Sequence, residues 1–558
     1  MPRFEPLAML TPRSWGGRFP LWRPSRMLTR FWFVFLLVLL LLGFGLRWAQ
    51  LDQRVFWVDE VATAVRIGGY TEAEVVAEVS DGHFRTPGDL RPYIQGPSPR
   101  SAQATLQALA NSPEHAPLYF LIARQWTALF GRNPESLRSL SVILSLLALP
   151  AVYWLCWEWM CSSLAGWLAV GLMASSPLLI AYAQEARPYS LWVLLLVLSG
   201  GMLLRSLNTG KAHDWFGYSL SLSLCLYTSL LSIPLAIAQG IYLICLEKGR
   251  LTRTVRRGGL AIAASFVSFG PWLWIVVSRW DTLQSNTVWM QQPMGLVERI
   301  GIWIYTLSIL VFDTPVAPLG TPLSNLQICT SIVILIAFAW AAMGLVRNTS
   351  PRIWGFVLAL GLPTPLMLML ADLLLGGKRS TAPRYWIPTH VALILIVAGW
   401  LGVQAAYKYY PKDWNRRWQK IVAVLLAIAL TCSIGNLWRS PRYLKTRNLH
   451  NPAIATLINQ VPRPRVLAEP TEVYDLISLT QFLKPEVEIQ VGEGDRLLQQ
   501  LRPCQLDTFV LNPSPTLMEQ FSSRPGALQE AYVPSRLTAD EMALTLWRIV
   551  PPNTCSPN

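Results

Sequence analysis

Long apolar runs recur along this chain and are separated by short polar segments. The first, FWFVFLLVLLLLGFGL at 31–46, contains no charged residue. A helix of about twenty mostly apolar residues crosses a bilayer, so each such run predicts one spanning helix. The predicted spans are 31–47, 138–157, 163–182, 190–204, 214–229, 232–246, 259–278, 327–346, 353–375, 385–403 and 420–437. The pattern therefore predicts an all-α polytopic membrane protein with eleven spans.

Two shorter apolar stretches, 117–130 and 299–312, fit an interfacial or re-entrant helix better than a crossing. If both crossed the membrane, the chain would have thirteen spans, and the basic loop EKGRLTRTVRRG at 247–258 would face outward. Lys and Arg are enriched in cytoplasmic loops, which favours eleven spans. Both counts place the N-terminus in the cytoplasm and the C-terminus outside.

Polarity divides the chain into three predicted regions. They are a basic cytoplasmic segment at 1–30, a membrane domain at 31–438 with a long first outer loop at 48–137, and a polar tail at 439–558. The tail has strand-like runs at 465–470, 487–491, 507–512 and 546–550 and a helix-like run at 473–483. These runs predict a small extracytoplasmic α/β domain. The tail also holds Cys504 and Cys555, and the sequence leaves their pairing open.

Composition supports the membrane assignment. Of the 558 residues, 52% are hydrophobic and 14% are charged, whereas soluble domains have about 25% charged residues. The net charge of +15 comes largely from short basic loops, as the positive-inside rule requires, and does not indicate a nucleic-acid partner. We therefore expect a multi-pass protein of the plasma membrane.

Two adjacent carboxylates, Asp59 and Glu60, follow the first predicted span in the segment FWVDEVATA at 56–64. The aromatic side chains of Phe56 and Trp57 favour the membrane interface, so the acids are predicted to lie near the outer surface. Such a pair fits a general base, a metal ligand or the start of a solvated helix. The pair by itself does not decide between these roles.

Three further motifs lie on the predicted outer side of the membrane. They are EHAPLYF with His115 and Tyr119, QEARPY with Gln184, Glu185, Arg187 and Tyr189, and GGKRSTAPRYW with Lys378, Arg379, Arg384 and Tyr385. His115 also fits the polar start of an interfacial helix, and Arg187 also fits a snorkelling side chain with Glu185 as its local partner. An outward cluster of basic residues runs against the positive-inside rule, and a bound anion explains it most simply.

Acids and bases from separate outer loops have the chemistry needed for group transfer from a lipid phosphate. A carboxylate can deprotonate an acceptor hydroxyl, and cations can stabilise a phosphate leaving group. We therefore expect these loops to converge on one site at the outer membrane surface.

The four motifs, in this order, resemble those of the GT-C membrane glycosyltransferases. They are most similar to glycosyltransferase family 39, the protein-mannosyltransferase-like enzymes, whose bacterial relatives include the lipid A aminoarabinose transferase and the rhizobial lipopolysaccharide galacturonosyltransferases. The resemblance covers roughly residues 30–400 and is strongest over 114–191. It implies the GT-C fold, with the helix at 117–130 as a juxtamembrane helix of the first outer loop.

The resemblance also implies roles for individual residues. Asp59 matches the family's catalytic base, with Glu60 beside it, and Ala116 replaces the first Pro of the family's His-Pro-Pro-Leu-Tyr segment. Together with Lys378 and Arg379, which come from the basic cluster and not from the resemblance, the substrate-binding and phosphate-binding set is His115, Tyr119, Gln184, Glu185, Arg187, Tyr189, Arg384 and Tyr385. A divalent metal shared by Asp59, Glu60 and Glu185 is compatible with the sequence but is not required by it.

The implied reaction is an inverting transfer of a hexosyl or pentosyl group from a polyprenyl-phosphate-sugar donor. The acceptor is an envelope glycan, lipid or protein, and the sequence does not choose among them. The alternative is a polytopic transporter or lipid flippase, which typically has ionisable residues at mid-membrane and an internal repeat. The ionisable residues here concentrate at the outer surface and the sequence has no evident repeat, which favours the enzyme.

Overall fold

A computed structural model describes residues 26–97, 100–314, 322–406, 412–437, 447–499, 507–522, 527–534 and 543–550. The chain forms two compact units. The first, here the helical unit, comprises Met1–Ala49, Ser112–Tyr119 and Ser141–Arg439. The second, here the sheet unit, comprises Gln50–Asn111, Phe120–Leu140 and Ser440–Asn558. Cys504 and Cys555 lie outside the described residues.

The secondary structure of the described residues is mostly helical. The α-helices, in chain order, are α1 (Arg26–Trp48), α2 (Val58–Ile67), α3 (Glu72–Val79), α4 (Pro87–Leu90), α5 (Ala102–Ala110), α6 (Leu118–Phe130), α7 (Pro134–Met160), α8 (Ser163–Ser175), α9 (Pro177–Ala183), α10 (Tyr189–Thr209), α11 (Ala212–Leu226), α12 (Ser232–Leu246), α13 (Arg253–Ser278), α14 (Trp280–Asn286), α15 (Leu296–Ser308), α16 (Pro322–Asn348), α17 (Pro351–Gly361), α18 (Pro363–Leu375), α19 (Ile387–Ala406), α20 (Lys412–Gly435), α21 (Asn451–Asn459), α22 (Val473–Leu479), α23 (Gly494–Gln499) and α24 (Pro515–Ser522). The strands are β1 (Phe84–Arg85), β2 (Arg465–Ala468), β3 (Glu488–Val491), β4 (Thr508–Leu511), β5 (Ala527–Tyr532) and β6 (Leu546–Val550).

Apolar helices of membrane-spanning length confirm a multi-pass membrane protein. Within the described residues, 5 helices are long and apolar enough to cross: Pro134–Met160, Tyr189–Thr209, Arg253–Ser278, Ser324–Asn348 and Pro383–Gln404. The number rises to 7 if the bent pairs α8–α9 and α17–α18 each count as one span. Shorter apolar helices lie at Val34–Trp48, Ser232–Leu246 and Lys420–Gly435. Every predicted span coincides with a helix or a bent pair, and the total of eleven crossings stays a prediction.

Two of the predicted spans are bent where proline starts a new helix. The axis turns by 63° between α8 and α9 and by 48° between α17 and α18. Pro177 and Pro363 stand at the first turns of α9 and α18, where a missing N–H and a fixed φ suit a helix start. Helix α9 ends at Ala183, so the segment 184–188 connects α9 to α10.

The apolar stretches predicted not to cross form short helices. Helices α6 and α15 each have 13 residues, which is about 20 Å of helix and less than the ~30 Å hydrocarbon core. Neither is among the helices long enough to span within the described residues.

The sheet unit contains a mixed six-stranded sheet in the order β1-β3-β2-β4-β6-β5. Parallel pairing of β2 with β3 and β4 forms its centre, and antiparallel strands complete both edges. Leu467, Val510 and Phe521 are buried in its core. The predicted α/β character of the tail is therefore present.

The long loop at 48–137, predicted to lie outside, contributes to the same unit as the tail. Strand β1 pairs with β3 in the register Phe84↔Gln490, and the Gln490 side chain donates to the Gly82 carbonyl at 2.9 Å. The structure thus joins to the tail two loop segments, 50–111 and 120–140, which the sequence assigned to the membrane domain. The pairing links residues some four hundred positions apart, so no local pattern predicts it.

Candidate active site

The two adjacent acids lie in the first turn of α2, in the sheet unit. A helix N-terminus favours negative charge, which stabilises carboxylates at this position. The Glu60 side chain is fully buried, whereas Asp59 is half-buried. The side chains of Asp59 and Glu60 therefore lie in different environments, one partly open to solvent and the other enclosed by protein.

Glu60 forms a buried ion pair with Arg138, which lies on α7. Arg138 Nε donates to Glu60 Oε1 at 2.8 Å and Arg138 Nη2 to Glu60 Oε2 at 2.6 Å. The same guanidinium donates to the carbonyls of Leu51 at 2.6 Å and Val55 at 2.8 Å. Glu60 and Arg138 thus fix the chain that leads into α2, and both oxygens of the Glu60 carboxylate accept hydrogen bonds from arginine.

The backbone just before Asp59 is bonded to the tail within the sheet unit. Val58 N–H donates to Asn448 Oδ1 at 2.8 Å, and Phe56 N–H donates to Gln481 Oε1 at 3.1 Å. The nearby Asp475 is buried, and its burial raises the pKa of its carboxyl. The negative charge of Asp59 adds to that rise in pKa, so the two carboxylates are within electrostatic range.

In the helical unit, the QEARPY motif joins α9 to α10. Gln184 Nε2 donates to the carbonyls of Leu46 at 2.7 Å and Ala49 at 2.8 Å, which satisfies the end of α1. Glu185 is fully buried and Arg187 is nearly so. The Tyr189 ring lies 4.8 Å from the Tyr182 ring and 6.0 Å from the Arg187 guanidinium.

Tyr182 marks the point where two of the predicted motifs meet. Its phenol is within electrostatic range of Tyr189 and Glu185 from one motif and of Arg384 from the other. Arg384 is half-buried, and its guanidinium lies 5.6 Å from the Trp289 ring and 5.4 Å from the Tyr385 ring. Aromatic faces of this kind hold a guanidinium through cation–π attraction while its N–H groups remain donors.

In the basic loop before α19, Arg379 and Lys378 have different surroundings. Asp372 accepts hydrogen bonds from the backbone N–H groups of Arg379 at 2.9 Å and Ser380 at 2.7 Å, and the Arg379 guanidinium bonds the same carboxylate at 3.3 Å. Arg379 therefore stabilises the conformation of its own loop. Lys378 N–H donates to Met290 O at 2.8 Å, and its side chain is buried.

His115 and Tyr119 have local partners in the helical unit. His115 Nε2 lies 3.7 Å from Glu114 Oε1, and Glu114 also accepts from Asn286 at 3.2 Å. The Tyr119 hydroxyl lies 3.1 Å from Ser141 Oγ and is fully buried. These contacts do not select a substrate role for either residue, so the roles stay predictions.

A metal site has no supporting donor set in the part of the chain that the structure describes. No three His, Cys, Asp or Glu side chains are grouped there in a way that would hold an ion. Glu60, one of the residues expected to share a metal, uses both carboxylate oxygens in its pair with Arg138.

Three contributors to the site were not among the residues that the sequence analysis named. Arg138 lies 78 positions from Glu60, and its one local signal is a charge in LRSLS at the start of an apolar run. Tyr182 and Trp289 read as ordinary interface aromatics, and only their contacts with the predicted motifs distinguish them.

Comparison with known proteins gives a family match to part of the chain and solved structures of similar fold. The sequence model of the dolichyl-phosphate-mannose-protein mannosyltransferase family matches residues 114–275, whereas no curated protein sequence matches the chain. Among solved structures, ArnT from Cupriavidus metallidurans in the apo state is similar at 13% identity and a TM-score of 0.52, covering 95% of this chain and 100% of that one. ArnT bound to undecaprenyl phosphate is similar at 14% identity and a TM-score of 0.50, with the same coverage.

The family match and the structural match support each other. The matched segment contains the QEARPY motif and the end of the loop at 48–137, and the structural similarity extends over nearly the whole chain. The chain is therefore a multi-pass membrane protein with the GT-C fold, and the family match covers its residues 114–275.

Proposed function

We propose that this protein transfers a sugar from a polyprenyl-phosphate-linked donor to an acceptor in the cell envelope. The observation that carries the proposal is the position of Tyr182 in the helical unit, whose ring lies 4.8 Å from that of Tyr189 in the QEARPY motif and which is within electrostatic range of Glu185 and Arg384. Arginine near membrane helices is costly unless it has a function, and its planar donors suit a phosphate. A protein of the same fold, ArnT, has been solved bound to undecaprenyl phosphate.

In the proposed reaction, Asp59 is the general base. It removes the proton of the acceptor hydroxyl as the acceptor oxygen forms a bond to the anomeric carbon. The bond between that carbon and the phosphate oxygen breaks, and polyprenyl phosphate leaves with both electrons of the bond. Arg187 and Arg384 stabilise the phosphate charge, with Lys378 as a further cation. A single displacement of this kind inverts the anomeric configuration.

Glu60 has a different role from Asp59 in this proposal. Because both of its carboxylate oxygens accept from Arg138, we assign it the task of holding the start of α2 in place. The transferred group is a hexosyl or pentosyl residue, and the acceptor is an envelope glycan, lipid or protein. The reaction takes place at the outer face of the plasma membrane, with the N-terminus of the chain in the cytoplasm.

Mass spectrometry of envelope glycans, glycoproteins and lipids in a deletion strain tests this function. We expect one sugar to be missing from an envelope component, its polyprenyl-phosphate donor to accumulate, and both changes to be reversed by the wild-type gene. Unchanged glycans together with a defect in lipid or solute transport would overturn the proposal in favour of a transporter.

Replacing Arg384 with alanine tests the cation assignment. Charge-assisted hydrogen bonds contribute about 1.5–3 kcal/mol, so the KM for the donor should rise by roughly ten- to a hundredfold. Steady-state kinetics with a purified polyprenyl-phosphate sugar measures the change. The control is Arg347→Ala, which removes an exposed arginine at the end of α16 and should leave KM unchanged. An unchanged KM in Arg384→Ala would contradict the assignment.

Cysteine labelling tests the proposed orientation. Cys161 is exposed in the short connection between α7 and α8, and the proposed topology puts this connection in the cytoplasm. In a variant that keeps Cys161 alone, a membrane-impermeant maleimide should react only after the cells are permeabilised. With Gln103→Cys on α5 as the single cysteine, intact cells should react, because the proposed topology puts the loop at 48–137 outside. The reverse labelling pattern would show that the orientation is inverted.

A further inference from the structure

The helix that carries Asp59 lacks a capping side chain of its own. Its N-cap residue is Trp57, which makes no side-chain capping bond. The Val58 N–H instead donates to Asn448 Oδ1 at 2.8 Å, and Asn448 is fully buried. Asn448 belongs to the C-terminal tail, so the tail supplies the cap for this functional helix.

The direction of the Asn448 amide is fixed by Asp475. Asn448 Nδ2 donates to Asp475 Oδ1 at 2.8 Å, and the other oxygen of Asp475 accepts from Arg447 Nε at 2.7 Å. An amide has one donor end and one acceptor end, so the bond to Asp475 turns the acceptor end toward Val58. Arg447 is held in turn by Glu472 at 2.9 Å.

Phe56, two positions before Val58, is hydrogen-bonded to the tail through both its backbone N–H and its carbonyl. Phe56 N–H donates to Gln481 Oε1 at 3.1 Å, and Phe56 O accepts from Ser478 Oγ at 2.7 Å. Ser478 is fully buried on α22 and accepts from Asn451 Nδ2 at 3.0 Å. Three backbone hydrogen bonds therefore fix the segment 56–58 immediately before Asp59.

We propose that Asn448 and Asp475 are positioning residues of the C-terminal tail, which hold the start of α2 so that Asp59 meets the acceptor hydroxyl in the correct geometry. The inference rests on the proposed function of Asp59 as the base. It assigns a catalytic task to the tail, because a displacement of about 1 Å in a reacting group can lower a rate by roughly a hundredfold.

Exchanging the two side chains tests this inference. Asn448→Asp alone brings the new carboxylate at position 448 next to that of Asp475, so the two negative charges repel each other. Asp475→Asn alone replaces one of the two acceptor oxygens of Asp475 with an NH2 group. In either orientation of the new amide, this NH2 group faces another donor, on Asn448 or on Arg447. The double exchange restores an unbroken chain of donors and acceptors from Arg447 to Val58 and keeps the total charge. Asn459→Asp is the matched control, because Asn459 on α21 bonds the Phe482 carbonyl and not the segment 56–58.

The readout is kcat and the donor KM for each variant, with thermal unfolding measured in parallel. We expect each single exchange to lower kcat at least about tenfold at an unchanged KM, the double exchange to recover most of the loss, and the control to match the wild type. Should a single exchange fail to fold, Ser478→Ala removes the bond to the Phe56 carbonyl and should lower kcat in the same way.

Two outcomes would overturn the inference alone. One is an unchanged kcat in a folded single variant or in Ser478→Ala. The other is a double exchange that folds but stays as slow as the singles. If the wild-type protein transfers no sugar under conditions in which its donor binds, the proposed function falls, and this inference falls with it.

Discussion

Asp59→Asn should abolish sugar transfer while leaving the protein folded. A general base contributes about 10²–10⁴-fold to a rate, and asparagine keeps the shape of the side chain but cannot accept the proton. We therefore expect kcat to fall by at least about a hundredfold with little change in donor KM. Steady-state transfer from a polyprenyl-phosphate sugar measures kcat, and intrinsic tryptophan fluorescence during heating follows unfolding.

A neighbouring acid provides the control for this prediction. Asp52 lies in the same loop and is exposed, so Asp52→Asn removes the same charge without touching α2. It should retain wild-type kcat. An Asp59→Asn protein that folds and transfers sugar at the wild-type rate would contradict the assignment of Asp59 as the base.

Arg138→Ala should destabilise the sheet unit strongly. Removing one partner of a buried ion pair costs about 3–5 kcal/mol, because the other charge stays buried without compensation. The substitution also removes the donors to the carbonyls of Leu51 and Val55. The midpoint of thermal unfolding should therefore fall markedly, and Glu60→Gln should lower it as well.

An exposed pair in the same unit provides the comparison. Arg548 lies 3.3 Å from Asp507, and both side chains are partly exposed. Because exposed pairs contribute about 0–1 kcal/mol, Arg548→Ala should change the unfolding midpoint little. A similar small effect of Arg138→Ala would show that the buried pair is not what fixes the start of α2.

These substitutions distinguish the roles of the two adjacent acids, Asp59 and Glu60. Asp59→Asn should lower activity strongly and stability by at most about 1 kcal/mol, whereas Glu60→Gln should lower both markedly. Their different burial explains the difference: the Asp59 carboxylate is half-buried, while Glu60 is enclosed with Arg138. Sequence alone treats the two residues as one motif.

The features that the sequence predicts well are those set by local patterns. Apolar runs of spanning length predict the membrane helices because burial in lipid requires each of those segments to satisfy its own backbone. The tail strands at 465–470 and 487–491 are predicted by short apolar alternation and occur as β2 and β3. The sequence predicts 163–182 and 353–375 each as one span, and the bends at Pro177 and Pro363 are seen only in the structure, although each has a local cause.

The features that the sequence misses depend on distant contacts. Strand β1 has two residues and exists through its pairing with β3. The Glu60–Arg138 pair joins positions 78 apart, and the cap from Asn448 to Val58 joins positions 390 apart. No periodicity or spacing rule connects residues at such separations, so the supports of Asp59 are visible only in the folded chain.

The candidate cations show the same limit. The sequence groups Lys378, Arg379 and Arg384 as one basic cluster. In the helical unit, Arg379 is fastened to Asp372, whereas Arg384 lies against Trp289 and Tyr385. Gln184 is also drawn into a structural contact, with the end of α1. Contacts in the folded protein therefore distinguish residues that the sequence motif alone cannot tell apart.

The most direct test of the central claim is the fate of the lipid donor. Membranes from a deletion strain should contain both the accumulated polyprenyl-phosphate sugar and its acceptor. Adding the purified wild-type protein should convert that donor to polyprenyl phosphate, with equimolar gain of the sugar on an envelope acceptor, as followed by lipid mass spectrometry. Asp59→Asn should convert none. A donor pool that stays unchanged with the wild-type protein would contradict the proposed glycosyl transfer.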